Sequence, residues 1–194
     1  TIDTIWGTKM SQNITINQIV ACINLALDAL YIKDSYLIFH DVEKSKCLKN
    51  QYKYVSERSI VFRFGIYFND IFNKLVSQEY HIDAEYNRSG NNSKSMRNSN
   101  DPSKNINCVP DLIVHRRGNQ NNNLVIIEFK TWWNCCQDND FCKLKYFTDS
   151  NNEYNYKFGV AIKLSECRNQ CEIVICENGC KSKEINIKTF EDKR

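Results

Sequence analysis

The sequence predicts an α/β domain whose core runs helix, three strands, helix, strand, with a helix before it and a β-hairpin after it. Three observations carry this. Apolar residues recur at helical spacing in two long segments, Thr15 to about Lys33 and Ser56 to Leu75. Two strand-like runs, VPDLIVHR and NLVIIEFKTW, flank the reversal RGNQNN. A shorter helical pattern from about Asp138 to Asp149 then precedes the apolar run YKFGVAIKL. At 194 residues the chain fits a single domain, 1–194, large enough to bury a core. The core is expected over about 56–164, with a helical extension over 1–55 and a β extension over 165–194.

Taken in order, Ile16, Ile19, Val20, Ile23, Leu25, Leu27, Leu30 and Tyr31 recur near a helical period and predict a first helix, followed by a polar link containing EKSKCLKNQYK. Ser56 is the expected N-cap of a second helix, with Ile60, Val61, Phe64, Phe68, Ile71, Phe72 and Leu75 on one side. YHIDAEY alternates as a strand at about 80–86. RSGNNSKSMRNSNDPSKN has almost no apolar residues and is expected to be a long, basic, mobile loop. CEIVIC and KEINI close the chain as a hairpin around Glu177-Asn178-Gly179.

Composition narrows the function less than the pattern does. A formal charge of +3 permits a nucleic-acid partner without requiring one. Ten Cys with no secretory leader predict a cytoplasmic protein with reduced thiols. No apolar run approaches the roughly 18 residues a membrane span needs, so no membrane partner is expected. The chain opens on Thr1 and its first Met is Met10, so the natural start is expected to be missing or altered.

The apolar strand ending in Glu128, Phe129 and Lys130 puts two charges where more Val and Ile would be expected. A turn centred between Asn119 and Gln120 pairs Asp111 with Glu128, and opposed side chains have Cβ atoms about 5 Å apart. Two ionised carboxylates that close repel unless a cation lies between them. Alternation puts Lys130 on the Glu128 face and sends Ile127 and Phe129 to the opposite layer. Two carboxylates on rigid strands suit Mg²⁺ or Mn²⁺, and an adjacent ammonium can position a water and offset charge on a phosphoryl oxygen. The plainer alternative is a strand-end salt bridge between Glu128 and Lys130, with Asp111 opening a turn after Pro110. A one-residue slip of register would also separate the two acids.

Pro110-Asp111 and Glu128-Phe129-Lys130 resemble the motif of the PD-(D/E)XK nuclease superfamily, and the resemblance covers about Ser56 to Leu164. It implies a restriction-endonuclease-like fold and metal-dependent hydrolysis of phosphodiester bonds, with DNA expected ahead of RNA. It implies Asp111 and Glu128 as metal ligands, Lys130 as the catalytic lysine, and Glu57 as a further ligand, although a first-turn Glu is also favoured by the helix dipole. Similar small nucleases carry a His where this chain has Phe62. Lys143 and Tyr146 match a polar pair that often contacts phosphate, and the superfamily's frequent dimers make a homodimer an expectation.

Arg88, Lys94, Arg97 and Lys104 in the basic loop, with Arg116 and Arg117 at the hairpin turn, are candidates for phosphate contacts, which fix a backbone without reading sequence. His115 shares the face of Asp111, and Trp132 and Trp133 offer stacking surfaces, although a satisfied strand-end His and anchoring Trp side chains are plainer readings. Cys167, Cys171, Cys176 and Cys180 could hold a structural Zn²⁺, but their C-x3-C spacing departs from the usual knuckle and an alternating strand divides them between faces. The second functional reading is a nucleic-acid-binding or protein-interaction module of the same fold that does not cleave.

Overall fold

A reciprocal cap starts the first helix of the computed structural model: the Gln18 N–H donates to the Thr15 hydroxyl at 3.4 Å, and the Thr15 N–H donates to the Gln18 side-chain oxygen at 2.9 Å. The structure describes residues 13–39, 54–97, 101, 103–134 and 138–186. The link EKSKCLKNQYK lies outside them. Four helices are described, α1 (Ile16–Lys33), the single turn α2 (Ser35–Ile38), α3 (Glu57–Leu75) and α4 (Asp138–Thr148). Ser56 holds the N-cap place of α3 without a side-chain capping bond. Contrary to the sequence reading, α1 is long and apolar enough by length and composition to cross a bilayer. Its polar residues fall on one side, and Ile19, Ile23, Leu27 and Leu30 are fully buried in the core on the other.

One mixed sheet organises the molecule in the order β1 (His81–Ala84), β6 (Leu112–Arg116), β7 (Asn119–Lys130), β8 (Phe158–Lys163), β9 (Glu172–Glu177) and β10 (Cys180–Asn186). Neighbours are antiparallel except β7 and β8, which run parallel and are joined through α4. Helices α1 and α3 cover one face, where Val114, Val125, Ile127, Phe129 and Val160 have no solvent exposure. Helix α4 covers only part of the other, packing Leu144 and Phe147 on Ile113, Ile126 and Cys176. Gly159 allows this close approach, because a Cβ there would stand 3.0 Å from Thr148 Cγ2 and 3.3 Å from Leu144 Cβ. The rest of this face carries charges.

The hairpin keeps the expected register where it matters, with Leu112 opposite Ile127 and Val114 opposite Val125. Its turn, however, is Arg117-Gly118, with Gly118 at φ +74°, and not Asn119-Gln120. His115 then pairs with Asn123 and Arg116 with Asn119, so two irregularities in β7 absorb the offset.

The expected basic loop is the main correction. Its described residues form two small ladders, β2 (Arg88–Ser89) with β3 (Asn92–Ser93) and β4 (Ser95–Arg97) with β5 (Asn105–Asn107). Tyr154 fastens the second: its hydroxyl accepts the Ser95 N–H at 2.8 Å and donates to the Ser95 carbonyl at 3.0 Å. Non-local side chains order a segment that has almost no apolar residues of its own.

Candidate metal and catalytic site

Backbone hydrogen bonding brings the acids together at the charged end of the sheet. Asp111 sits just before β6, and its Oδ2 accepts the Phe129 N–H at 2.7 Å, continuing the pairing of β6 with β7 through a side chain. Glu57 opens α3, and its Oε2 accepts the Thr131 N–H at 3.1 Å, which ties the helix start to the end of β7. Glu128 is buried at 2% exposure, on the α4 face with Ile126 and Lys130. Glu57, Asp111, Glu128 and Lys130 therefore gather at one place.

Two residues of α4 complete the cluster. Lys143 donates to Glu128 Oε2 at 3.2 Å and to Asp140 Oδ1 at 3.0 Å. Lys130 Nζ lies 2.7 Å from Asp140 Oδ2 and 3.7 Å from Glu57 Oε1. Asp140 was not singled out from sequence; its one local signal is the i,i+3 spacing to Lys143, ordinary for a helix surface. The cluster opens into a cleft of about 260 Å³ whose walls include Phe141, Lys163 and Lys181.

The electrostatics are those of crowded acids. Burial first, and then the charge of Asp111, pushes Glu128 up to about 8 against the pull of Lys143. Burial and the charge of Glu57 raise Asp111 to about 6, against the Phe129 N–H and the two lysines. Burial opposes the Lys143 ammonium, but Glu128 and Asp140 outweigh it and hold its pKa above the usual lysine range. The same contest, with Asp140, Glu57 and Asp111 prevailing over burial, raises Lys130. Among the described residues Glu128 Oε1 is buried with no hydrogen-bond donor.

Four carboxylates against two ammonium groups, one carboxylate oxygen orphaned, make a hard donor set that suits a divalent cation of the Mg²⁺ class. Among the described residues no three His, Cys, Asp or Glu side chains stand in cation-binding geometry. Lys130 and Lys143 bridge the acids instead.

The remaining candidates lie elsewhere. Arg117 grips both oxygens of Asp83, which also meets His115 Nε2 at 2.8 Å. Arg116 pairs with Glu79. Arg88 is exposed beside Lys94, which is buried at 3% exposure and is no solvated loop lysine. Lys104 pairs with Asp101 at 3.0 Å, and Arg97 is exposed. Tyr146 packs its ring 5.8 Å from Phe147 and 6.1 Å from Tyr154, away from the acids. Trp132 and Trp133 pack against the core, Trp133 stacked on Tyr54 at 4.6 Å. Phe62 is exposed on α3. Cys171 is buried with its sulfur 3.1 Å from the Tyr31 hydroxyl, Cys176 is buried under α4, and Cys167 and Cys180 are exposed; among the described residues these thiols form no metal-holding group.

Comparison with protein-family models, curated proteins and solved structures gives no match.

Proposed function

We propose that this chain is a metal-dependent nuclease with a restriction-endonuclease-like core over about 56–164. The observation that carries this reading is Glu128, a carboxylate buried on an apolar strand with Oε1 unpartnered, crowded by Asp111 and followed two residues on by Lys130. Burying like charges together costs stability, and a cation is what offsets that cost. Asp111, Glu128 and Glu57 would hold Mg²⁺ or Mn²⁺, which supplies Lewis acidity to a phosphoryl oxygen.

The chain's own groups do the rest. Lys130 orients an attacking water and offsets negative charge that develops on the phosphate. The Phe129 N–H aims Asp111, and the Thr131 N–H aims Glu57, so ligands from a helix start and a strand edge are held rigid by backbone donors. Lys143 favours the ionised form of Glu128. Lys163 and Lys181 line the cleft, each paired with a glutamate that a phosphate backbone would have to displace, Glu172 at 3.7 Å and Glu184 at 2.5 Å. DNA is the proposed substrate ahead of RNA.

Purified protein is incubated with DNA and with RNA in Mg²⁺, Mn²⁺ or EDTA, beside Asp111→Ala and Lys130→Ala. Metal-dependent cleavage by the wild type alone is expected. Cleavage no greater than that of the variants sinks the proposal. One observation favours a second reading, a non-cleaving nucleic-acid-binding or protein-interaction module: Lys130 and Lys143 already bridge the acids. In that case Mn²⁺ binding is absent from calorimetric titration as well.

A further inference from the structure

Near the β6–β7 turn a second cavity, of about 120 Å³, is lined by Tyr86, Arg88, Lys94, His115, Arg116 and Tyr154, among others. His115 is four residues along β6 from Asp111, which at ~3.3 Å per residue puts this cavity about 13 Å from the acid cluster. Lys94 is its unusual feature. The side chain is 3% exposed, its ammonium donates to the Arg88 carbonyl, and it stands 4.6 Å from the centre of the Tyr86 ring. Asp83, whose charge reaches it, is already engaged by His115 at 2.8 Å and by both arms of Arg117. Among the described residues no carboxylate forms an ion pair with Lys94, whereas Arg117 and His115 both have one.

Arg116 also borders the cavity, but its guanidinium pairs with Glu79 and lies 5.1 Å from the Tyr80 ring centre, on the α3 side of the sheet. Arg88 supplies a second cation at the rim. A buried ammonium with three donors and one carbonyl partner is costly unless a counter-ion fills the space beside it. Burial lowers Lys94 to about 8, so the ammonium form still predominates at neutral pH.

We infer that this pocket binds a single phosphate group. Its volume of about 120 Å³ accommodates a tetrahedral oxyanion. A buried ammonium with an arginine at the cavity rim is the Lys-with-Arg pairing that phosphate favours. The anion chemistry stands without the nuclease reading. Only the assignment of this phosphate to a substrate strand, seated about 13 Å from the acids, rests on that reading.

Calorimetric titration in EDTA tests the pocket without any cleavage step. Inorganic phosphate, a mononucleotide and a short single-stranded DNA are titrated into the wild type, Lys94→Met and Arg88→Gln at fixed chloride. At least one ligand is expected to bind the wild type, and each variant is expected to weaken that binding tenfold or more. Arg88→Gln keeps the backbone carbonyl that holds the buried lysine, so the test survives a misfolded Lys94→Met. Free phosphate binding identifies a small anion as sufficient; binding of the DNA alone, weakened by the variants, identifies a strand phosphate. No binding of any of the three, or binding that the folded variants leave unchanged, overturns the inference. A chain that binds phosphate here but cuts nothing loses the nuclease reading and keeps this one.

Discussion

Two acid clusters occupy opposite ends of the same β6–β7 ladder, and they differ in how many donors each acid receives. Asp83 meets a bidentate arginine and a histidine, and Arg117 foremost, with His115, pulls it down to about 2 although burial opposes them. Glu128 has one ammonium donor and acidic neighbours, and burial with Asp111 pushes it up to about 8. An acid surrounded by donors stabilises its own fold, whereas an acid surrounded by acids is held in place by the fold around it. The second condition is what a ligand can relieve, and the contrast separates a structural ion cluster from a candidate site.

Substitutions at the two ends should separate activity from stability. The largest expected effect is catalytic: Lys130→Met and Asp111→Asn each lower metal-dependent cleavage about 10³-fold or more while leaving thermal unfolding within a few degrees. Equal loss of cleavage in Asp83→Asn, corrected for folded fraction, would erase the distinction. Next, Asp83→Ala leaves Arg117 and the buried His115 without their acid, so urea denaturation should register a loss of about 2–4 kcal/mol.

A smaller effect is expected from metal. Mn²⁺ at a hundred times its Kd raises wild-type stability by about 2.7 kcal/mol, and Glu128→Gln removes most of that gain. A melting temperature that ignores Mn²⁺ in the wild type contradicts the ligand assignment. The last contrast lies in the pH dependence of the metal-free protein, where the two clusters slope oppositely. Glu128, at about 8 when folded against 4.5, and Asp111, at about 6 against 3.8, bind protons more tightly in the folded chain. Their contribution is present below the unfolded values and is lost as pH rises through the folded ones. Asp83, at about 2 when folded against 3.8, contributes above its unfolded value and loses that contribution as pH falls toward 2. Glu128→Gln should therefore flatten the alkaline limb of a stability profile and leave the acid limb unchanged.

The alignment of Asp111 with Glu128 was legible in the sequence, though the turn was not. Apolar alternation constrains register at the buried end, where a slip would turn Ile113 and Ile126 away from α4. At the exposed end nothing penalises a bulge, and the chain reverses two residues earlier than expected at Gly118. Asp140 stayed hidden because its pairing with Lys130 joins α4 to β7, which helical spacing alone does not show. Lys94 was read as a loop residue and His115 as a strand-end residue with a satisfied hydrogen bond, which Asp83 supplies, but nothing local announces that Tyr86 and Tyr154 enclose the cavity they line.

By itself the sequence determined the helical and strand periods, the face each strand residue takes, and the joining of two acids and a lysine on one hairpin. These follow from repeat geometry within a few residues. Only the tertiary structure decided which charges are satisfied. That depends on which helix end reaches a strand edge, on how close Gly159 lets α4 approach, and on which side chains exclude water. Desolvation and charge pairing act through space, and the distances that set them have no counterpart in sequence separation.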